Sequence, residues 1–209
     1  MHTKSLRKRG IMFVLSSPSG AGKTSVARTV LCRDPNLNLS VSVTTRLPRD
    51  GEIDGQDYFF LSESEYFSNI NKGMFLEHAE VFGNLYGTLK SQVEEKLHRG
   101  EDVLFDIDWQ GTQQLRESAR ADLVTIFILP PSYAELERRL VNRGKDTKAV
   151  VLERMKKATD EMSHWPEYDY VVINEELEIA TRNVMSIVDA ERLRRSRYIG
   201  LGEVVSPQK

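Results

Sequence analysis

Four short segments of the chain are continuously apolar and rich in β-branched and aromatic residues: Ile11–Leu15, Val103–Phe105, Leu123–Leu129 and Tyr170–Ile173. A strand with one solvated face alternates apolar and polar residues, whereas a strand covered on both faces has no need to alternate. We therefore expect the four segments to form a parallel sheet flanked by helices. This pattern predicts an α/β fold.

The residues between these segments carry helical signals. From Gly22 to Arg33 apolar residues recur at i, i+4 spacing, and Pro35 follows the last turn. Ser132 and Glu135 form a capping-box pattern at the start of a second helix. The same signals predict helices over residues 91–99, 132–142 and 176–195.

Residues 37–89 depart from this pattern. Leu39, Val41 and Val43 alternate with polar residues, which predicts a strand with one apolar and one polar face. The apolar runs that follow are shorter than those of the predicted central strands. We interpret residues 37–89 as an inserted, partly antiparallel lobe whose polar face lines a cleft.

Residues 144–165 are highly charged and begin with a glycine. We interpret them as a helical lid that lies outside the core. The core of a single domain over residues 10–195 would then comprise residues 10–36, 90–143 and 166–195. A basic tail over residues 1–9 and a second tail over residues 196–209 would flank it.

Composition excludes several classes of protein. The 29 Lys and Arg residues nearly balance the 31 Asp and Glu residues, so the chain lacks the basic field that wraps nucleic acid. A single cysteine, Cys32, excludes an intramolecular disulfide. The longest apolar runs are too short to span a membrane or to form a signal peptide. We expect a cytoplasmic protein that binds neither nucleic acid nor membrane, as a monomer or a homo-oligomer.

A glycine-rich loop connects the first predicted strand to the first predicted helix. Its backbone N–H groups can converge on one point, and the dipole of the following helix favours an anion there. Lys23 can reach the β- and γ-phosphates of a nucleotide, and the Thr24 hydroxyl suits a Mg²⁺ ligand. The usual motif has glycine where this chain has Ser17. The sequence predicts ATP binding by Ser17, Pro18, Ser19, Gly20, Ala21, Gly22, Lys23 and Thr24.

A second group of residues suits another phosphate and a base. Arg46 and Arg49 lie three apart around Pro48, and their guanidinium groups can hold a phosphate through paired hydrogen bonds. Glu77 could accept hydrogen bonds from N1–H and the exocyclic amine of guanine. Adenine offers no such pair of donors, so a buried glutamate would discriminate between the two bases.

These motifs together resemble the guanylate kinase family. The matching residues are the phosphate loop, Ser-x-Thr-Thr-Arg-x-Pro-Arg-x-Gly-Glu from Ser42, Asp-Tyr-x-Phe from Asp57, Glu77, and Tyr-Gly-Thr from Tyr86. The resemblance runs from about residue 10 to residue 195. It implies a phosphate-loop NTPase-like parallel sheet with a GMP-binding lobe and a lid. It also implies Mg²⁺-dependent transfer of the γ-phosphoryl group of ATP to GMP, and to dGMP, in purine nucleotide metabolism.

The resemblance also implies roles for individual residues. Guanine would be contacted by Ser42, Glu77 and Thr88, although the family often has serine where this chain has Thr88. The GMP phosphate would be held by Arg46, Arg49, Tyr58 and Tyr86. Asp106, which ends an apolar strand, would lie near the GMP base and near Mg²⁺, directly or through water. The transferring phosphoryl group would be covered by Arg139, Arg143 and Arg154, and Asn174 would lie beside adenine.

Two other functions compete with this interpretation. A non-catalytic guanylate-kinase-like module that binds a protein partner typically lacks the phosphate-loop lysine or the GMP-binding residues, whereas this chain has both. A nucleoside monophosphate kinase for another base would not need the combination of Glu77 and Ser42. The residues therefore favour a GMP kinase.

Overall fold

A computed structural model of the chain describes residues 7–81, 83–142 and 148–205. The strands are β1 (Arg7–Lys8), β2 (Met12–Ser16), β3 (Leu37–Leu39), β4 (Val43–Thr44), β5 (Phe59–Phe60), β6 (Phe75–Val81), β7 (Asn84–Leu89), β8 (Asp102–Asp106), β9 (Leu123–Leu129), β10 (Tyr170–Ile173) and β11 (Tyr198–Ile199). The helices are α1 (Lys23–Arg33), α2 (Glu63–Asn71), α3 (Lys90–His98), α4 (Trp109–Ala119), α5 (Tyr133–Asn142), α6 (Lys148–Ser163), α7 (Leu177–Arg192) and α8 (Leu201–Val205).

A five-stranded parallel sheet with strand order β10-β9-β2-β8-β3 forms the centre of the fold. The four continuously apolar segments of the sequence are its strands β2, β8, β9 and β10. All five residues of β2 are buried, because helices cover both faces of the sheet. The predicted α/β class is confirmed.

Alternate side chains of the central strands enter two apolar layers. On one face Phe13 packs with Val26 of α1 and Val184 of α7. On the other face Val14 packs with Leu115 of α4. The period-two alternation of a strand explains why β2 is apolar at successive positions, since each face has its own helices to contact.

A separate four-stranded sheet, with order β5-β4-β7-β6, forms the inserted lobe. It is partly antiparallel, as expected, because β7 runs antiparallel to β4 and β6 while β4 and β5 are parallel. The prediction of one strand through Leu39, Val41 and Val43 is wrong. The Ser40 N–H still donates to Leu104 O in the central sheet, at 2.8 Å, and the chain then enters β4 of the lobe. The lobe therefore begins after residue 40, not at residue 37.

The predicted lid segment contains an apolar stripe that the charge pattern concealed. Met155 and Ala158 of α6 are buried against Leu136 and Leu140 of α5. The spacing of the two α6 residues puts them on one face of the helix. This stripe docks α6 beside the glycine-rich loop. Residues 143–147 lie outside the described part of the chain.

Both expected tails contact the core close to their junctions with it. Strand β1 pairs antiparallel with β11. The Arg9 guanidinium donates to Asp122 and to Glu94, both at 2.8 Å, and Arg197 is 5% exposed. Carboxylates near the amino-terminal edge of the central sheet pair with both residues, so that Arg197 is buried and Arg9 is only partly exposed.

Candidate active site

The glycine-rich loop lies between β2 and α1 and requires its glycines. Gly20 and Gly22 have φ values of 90° and 96°, in the left-handed region that favours glycine. A Cβ atom on Gly20 would also lie 2.9 Å from Leu140 Cδ2. The loop borders a cavity of about 460 Å³ lined by Ser17, Pro18, Ser19, Gly20, Gly22, Lys23, Thr24, Ser25, Asp108, Arg139 and Glu161. Ala21 is buried beneath it.

Lys23 is paired with the carboxylate that the sequence placed near Mg²⁺. Its Nζ lies 2.6 Å from Asp106 Oδ1 and donates to Ile107 O at 3.0 Å. Parallel pairing of β2 with β8 brings the two residues together, because Leu15 and Asp106 are partners in register. The neighbouring Asp108 lines the loop cavity and also caps α4 by accepting the Gly111 N–H at 3.0 Å.

Glu161 lies against the glycine-rich loop, and sequence reasoning missed it. The Ser19 N–H, one of the loop donors, donates to Glu161 Oε2 at 2.8 Å. The carboxylate comes from α6, whose orientation is set by Met155 and Ala158. A helical wheel of α6 could have placed Glu161 near that buried face, but only the fold brings it to Ser19.

The three lid arginines have different positions. Arg139 lines the loop cavity, and its guanidinium donates to Glu135 Oε1 at 2.8 Å and to Asn174 O at 3.0 Å. Arg154 lies on α6 and is half-buried. Arg143 lies outside the described residues, so its role in covering the phosphoryl group remains a prediction.

The Glu135 carboxylate pairs with two arginines of α5 and does not complete a capping box with Ser132. The Glu135 N–H donates to Ser132 Oγ at 3.1 Å, but its carboxylate accepts from Arg138 and Arg139. Hydrogen bonds from these two guanidinium groups, Arg138 first, lower the pKa of Glu135 to about 2. The carboxylate is thus a fixed counter-charge for Arg139.

Asn174 lies under the glycine-rich loop. Its buried side chain donates from Nδ2 to Ala21 O at 2.7 Å. A Cβ atom on Gly22 would clash with the same nitrogen. Asn174 therefore supports the loop from below, and its contact with adenine remains a prediction.

The lobe brings three of its four expected phosphate-binding side chains together. The Arg46 guanidinium lies 5.3 Å from the centre of the Tyr58 ring, and the Tyr58 and Tyr86 rings are 6.1 Å apart. Arg46 donates to Glu52 at 2.8 and 3.0 Å. Hydrogen bonding to Arg46 lowers the pKa of Glu52. The Arg49 side chain is exposed, and its backbone N–H donates to Glu52 at 2.8 Å.

Glu77 is a buried carboxylate on β6. It pairs in register with Thr88 of β7, whose hydroxyl donates to Glu77 Oε1 at 2.7 Å. Val43 of β4 pairs with Gly87 of β7, and the next residues are Ser42, just before β4, and Thr88 of β7. Burial raises the pKa of Glu77, the Thr88 hydrogen bond opposes that rise, and the charge of Asp108 adds to it.

The fold and these contacts define a phosphate-loop nucleotide-binding α/β protein with an inserted lobe on which Arg46, Tyr58 and Tyr86 lie together. A protein-family model described as guanylate kinase matches residues 9–191. The guanylate kinase of Paramagnetospirillum magneticum is 56% identical over 199 residues, which cover 95% of this chain and 93% of that one. The guanylate kinase of Bradyrhizobium diazoefficiens is 55% identical over 95% of this chain and 91% of its own.

A solved structure gives the same result. The crystal structure of guanylate kinase from Anaplasma phagocytophilum matches this chain with a TM-score of 0.75 and 39% identity. The match covers 96% of this chain and 95% of that one. The chain belongs to the guanylate kinase family, which confirms the resemblance seen in its motifs.

The raised pKa of Glu77 leads to a stability prediction. A carboxyl whose pKa is raised above 4.5 by folding destabilises the fold once it ionises, and the penalty develops as the pH rises through the raised pKa. Glu77→Gln keeps an acceptor for Thr88 but carries no charge. We therefore expect Glu77→Gln to melt higher than wild type at neutral pH. A gain of ~1 kcal/mol would raise Tm by about 2–4 °C.

Thermal unfolding across the acid range checks this expectation. The difference in Tm between the two proteins should shrink as the pH falls, because protonated Glu77 is also neutral. Glu80→Gln on the same strand is the control. A lower Tm for Glu77→Gln at neutral pH would show that the charge of Glu77 stabilises the ligand-free fold.

Proposed function

We propose that this chain transfers the γ-phosphoryl group of ATP to GMP, and also to dGMP, giving ADP and the corresponding diphosphate. ATP would bind at the glycine-rich loop, and GMP would bind between the lobe and the end of β8. The reaction would serve purine nucleotide metabolism.

The position of Asp108 is the observation that carries this proposal. Asp108 lines the cavity of the glycine-rich loop and accepts the Gly111 N–H at 3.0 Å. Gly111 in turn lies against Glu77, since a Cβ atom on Gly111 would be 3.4 Å from Glu77 Oε2. The phosphate-binding loop and the base-reading carboxylate thus adjoin a single strand end. That proximity supports a site that aligns two nucleotides for in-line transfer.

Phosphoryl transfer from ATP to GMP depends more on cations that stabilise charge than on a general base that accepts a proton. An oxygen of the GMP phosphate is already anionic, so it needs no proton acceptor before it attacks. Lys23 would stabilise charge on the transferring phosphoryl group, and Arg139 lies at the same cavity. Arg46 and the exposed Arg49 would hold the acceptor phosphate.

The oxygen donors beside the loop suit Mg²⁺, a hard cation that prefers hydroxyl, carboxylate and water ligands. Thr24 lies on the first turn of α1 and, with Asp108, lines the same cavity. Thr24 would hold the ion with the phosphates, and Asp106 would contact it directly or through water. When bound, Mg²⁺ would neutralise phosphate charge during transfer.

The alternative of a non-catalytic protein-binding module is not favoured, because the similar proteins over 95% of the chain carry the name of the enzyme. Within the described part of the chain, no helix has the length and apolar character needed to cross a membrane. We propose a cytoplasmic enzyme and leave monomer and homo-oligomer open.

An acceptor screen tests the proposal. With ATP and Mg²⁺, we expect ADP formation with GMP and dGMP but not with AMP, UMP or dTMP. Lys23→Ala should lower kcat about a hundred- to a thousandfold, since losing one preorganised donor at the developing charge costs ~2.7–4 kcal/mol. Lys72→Ala, at an exposed position of the lobe, is the control. Equal turnover of AMP and GMP would refute the base assignment, and near-normal turnover by Lys23→Ala would refute the loop assignment.

Glu161 gives a second test of the ATP site. Its carboxylate bonds to the Ser19 N–H and would repel a phosphate there. Glu161→Ala should therefore tighten binding of an ATP analogue by up to about fivefold, because exposed ionic contacts are worth ~0.2–1 kcal/mol. Titration calorimetry measures the change, with Glu153→Ala on the same helix as control. Weaker binding by Glu161→Ala would mean that Glu161 supports the nucleotide.

A further inference from the structure

Strand β6 is an edge of the lobe sheet, and side chains of α4 bond to two of its residues: Ser118 Oγ donates to Leu76 O at 3.3 Å, and Gln114 bonds to His78. An edge strand presents backbone N–H and C=O groups with no neighbouring strand. The His78 N–H donates to Gln114 Oε1 at 2.9 Å, and Gln114 Nε2 donates to His78 O at 2.9 Å. The glutamine amide thus makes the pair of hydrogen bonds that an adjacent strand would make.

Gln114 belongs to the core, not to the lobe. It lies on α4, whose Leu115 is fully buried against the central sheet. The helix begins at the Asp108 cap, directly after the strand that carries Asp106. Leu76 of β6 is buried in the same apolar cluster as Leu115, which already holds β6 against α4. The two hydrogen bonds of Gln114 add a fixed position for His78, the residue that follows Glu77, relative to α4.

The residue held in this way is the neighbour of Glu77. One turn before Gln114, Gly111 faces the same strand, and a Cβ atom on Gly111 would lie 3.4 Å from Glu77 Oε2. Thr88 holds the other carboxylate oxygen from β7. The position of the carboxylate is thus set by β7 on one side and by α4 on the other.

We propose that Gln114 is a positioning residue for base recognition, which fixes Glu77 relative to the phosphate-binding loop. This inference rests on the proposed GMP kinase function. Gln114 itself touches no substrate; it sets the place of the carboxylate that does. A displacement of ~1 Å at a reacting or binding group can cost about a hundredfold in rate.

Gln114→Met tests this role, because methionine has a similar length but cannot bond to the His78 backbone. Gln113→Met is the matched control, since Gln113 is the adjacent amide on α4 and donates to Glu167 at 2.8 Å, away from the lobe. We would measure kcat and KM for GMP and for inosine monophosphate, which lacks the 2-amino group, and KM for ATP.

In Gln114→Met we expect the KM for GMP to rise roughly tenfold, as for the loss of one hydrogen bond between guanine and a displaced Glu77 carboxylate. The KM for ATP should change by less than about twofold, since the glycine-rich loop keeps its contacts. The preference for GMP over inosine monophosphate should fall, because a displaced Glu77 no longer accepts both guanine donors. Gln113→Met should keep the wild-type preference.

A purely structural role for Gln114 would lower stability without changing base preference. Gln114→Met with the wild-type preference and KM for GMP would overturn the inference, as would equal losses for GMP and ATP. If Gln114→Met does not fold, Gln114→Glu replaces it: it keeps the acceptor for the His78 N–H, loses the donor, and places a charged carboxylate oxygen against the His78 carbonyl oxygen. The same changes in KM and preference are expected, and their absence would overturn the inference.

Glu77→Gln, assayed in the same series, distinguishes failure of the positioning role of Gln114 from failure of the proposed GMP kinase function. If Glu77→Gln keeps full GMP activity, the base assignment fails and the role of Gln114 fails with it. If Glu77→Gln loses GMP activity while Gln114→Met behaves like Gln113→Met, only the positioning role is wrong.

Discussion

The ion pair between Lys23 and Asp106 joins the first residue of α1 to the last residue of β8, and the nucleotide-binding centre depends on that contact. The charged atoms are 2.6 Å apart, and both side chains are largely shielded from solvent. The pair follows from the parallel register of β2 with β8, which sets Asp106 beside Leu15, two residues before the glycine-rich loop. A slip of one residue in that register would turn Asp106 to the other face of the sheet. The loop, the acid at the strand end and helix α4 beyond it therefore share one geometric constraint.

Carboxylates pair with several groups that the phosphates would meet. Asp106 pairs with Lys23, Glu52 with Arg46, Glu135 with Arg139 and Glu161 with the Ser19 N–H. Cations gathered at one edge of a sheet repel one another, so internal counter-charges stabilise the ligand-free arrangement. A phosphate that binds at such a group must displace or share a carboxylate. This exchange favours ligands with high negative charge, such as nucleotides, over weaker anions.

The sequence predicted those parts of the fold that local patterns determine. The apolar runs gave the central strands, and the glycine-rich loop was recognisable from Gly20, Gly22 and Lys23 because strain and charge there are local properties. The single strand through Leu39 and Val43 was predicted wrongly. The alternation of apolar and polar residues does not show that Leu39 joins the central sheet while Val43 joins the lobe sheet. The contacts of Glu161 and Gln114 could not be predicted, since they join residues 142 and 36 positions apart. Long-range contacts of this kind depend on tertiary packing and not on spacing along the chain.

Recognition of guanine by a buried carboxylate is the central claim, and the pKa of Glu77 tests it directly. NMR of the side-chain carboxyl carbon would give that pKa with and without GMP. In the free protein we expect it to lie above the ordinary value of 4.5, because burial penalises the charge. With GMP bound it should fall well below the free-protein value, because two guanine N–H donors would stabilise the carboxylate. The same raised pKa in both states would contradict recognition of guanine by Glu77.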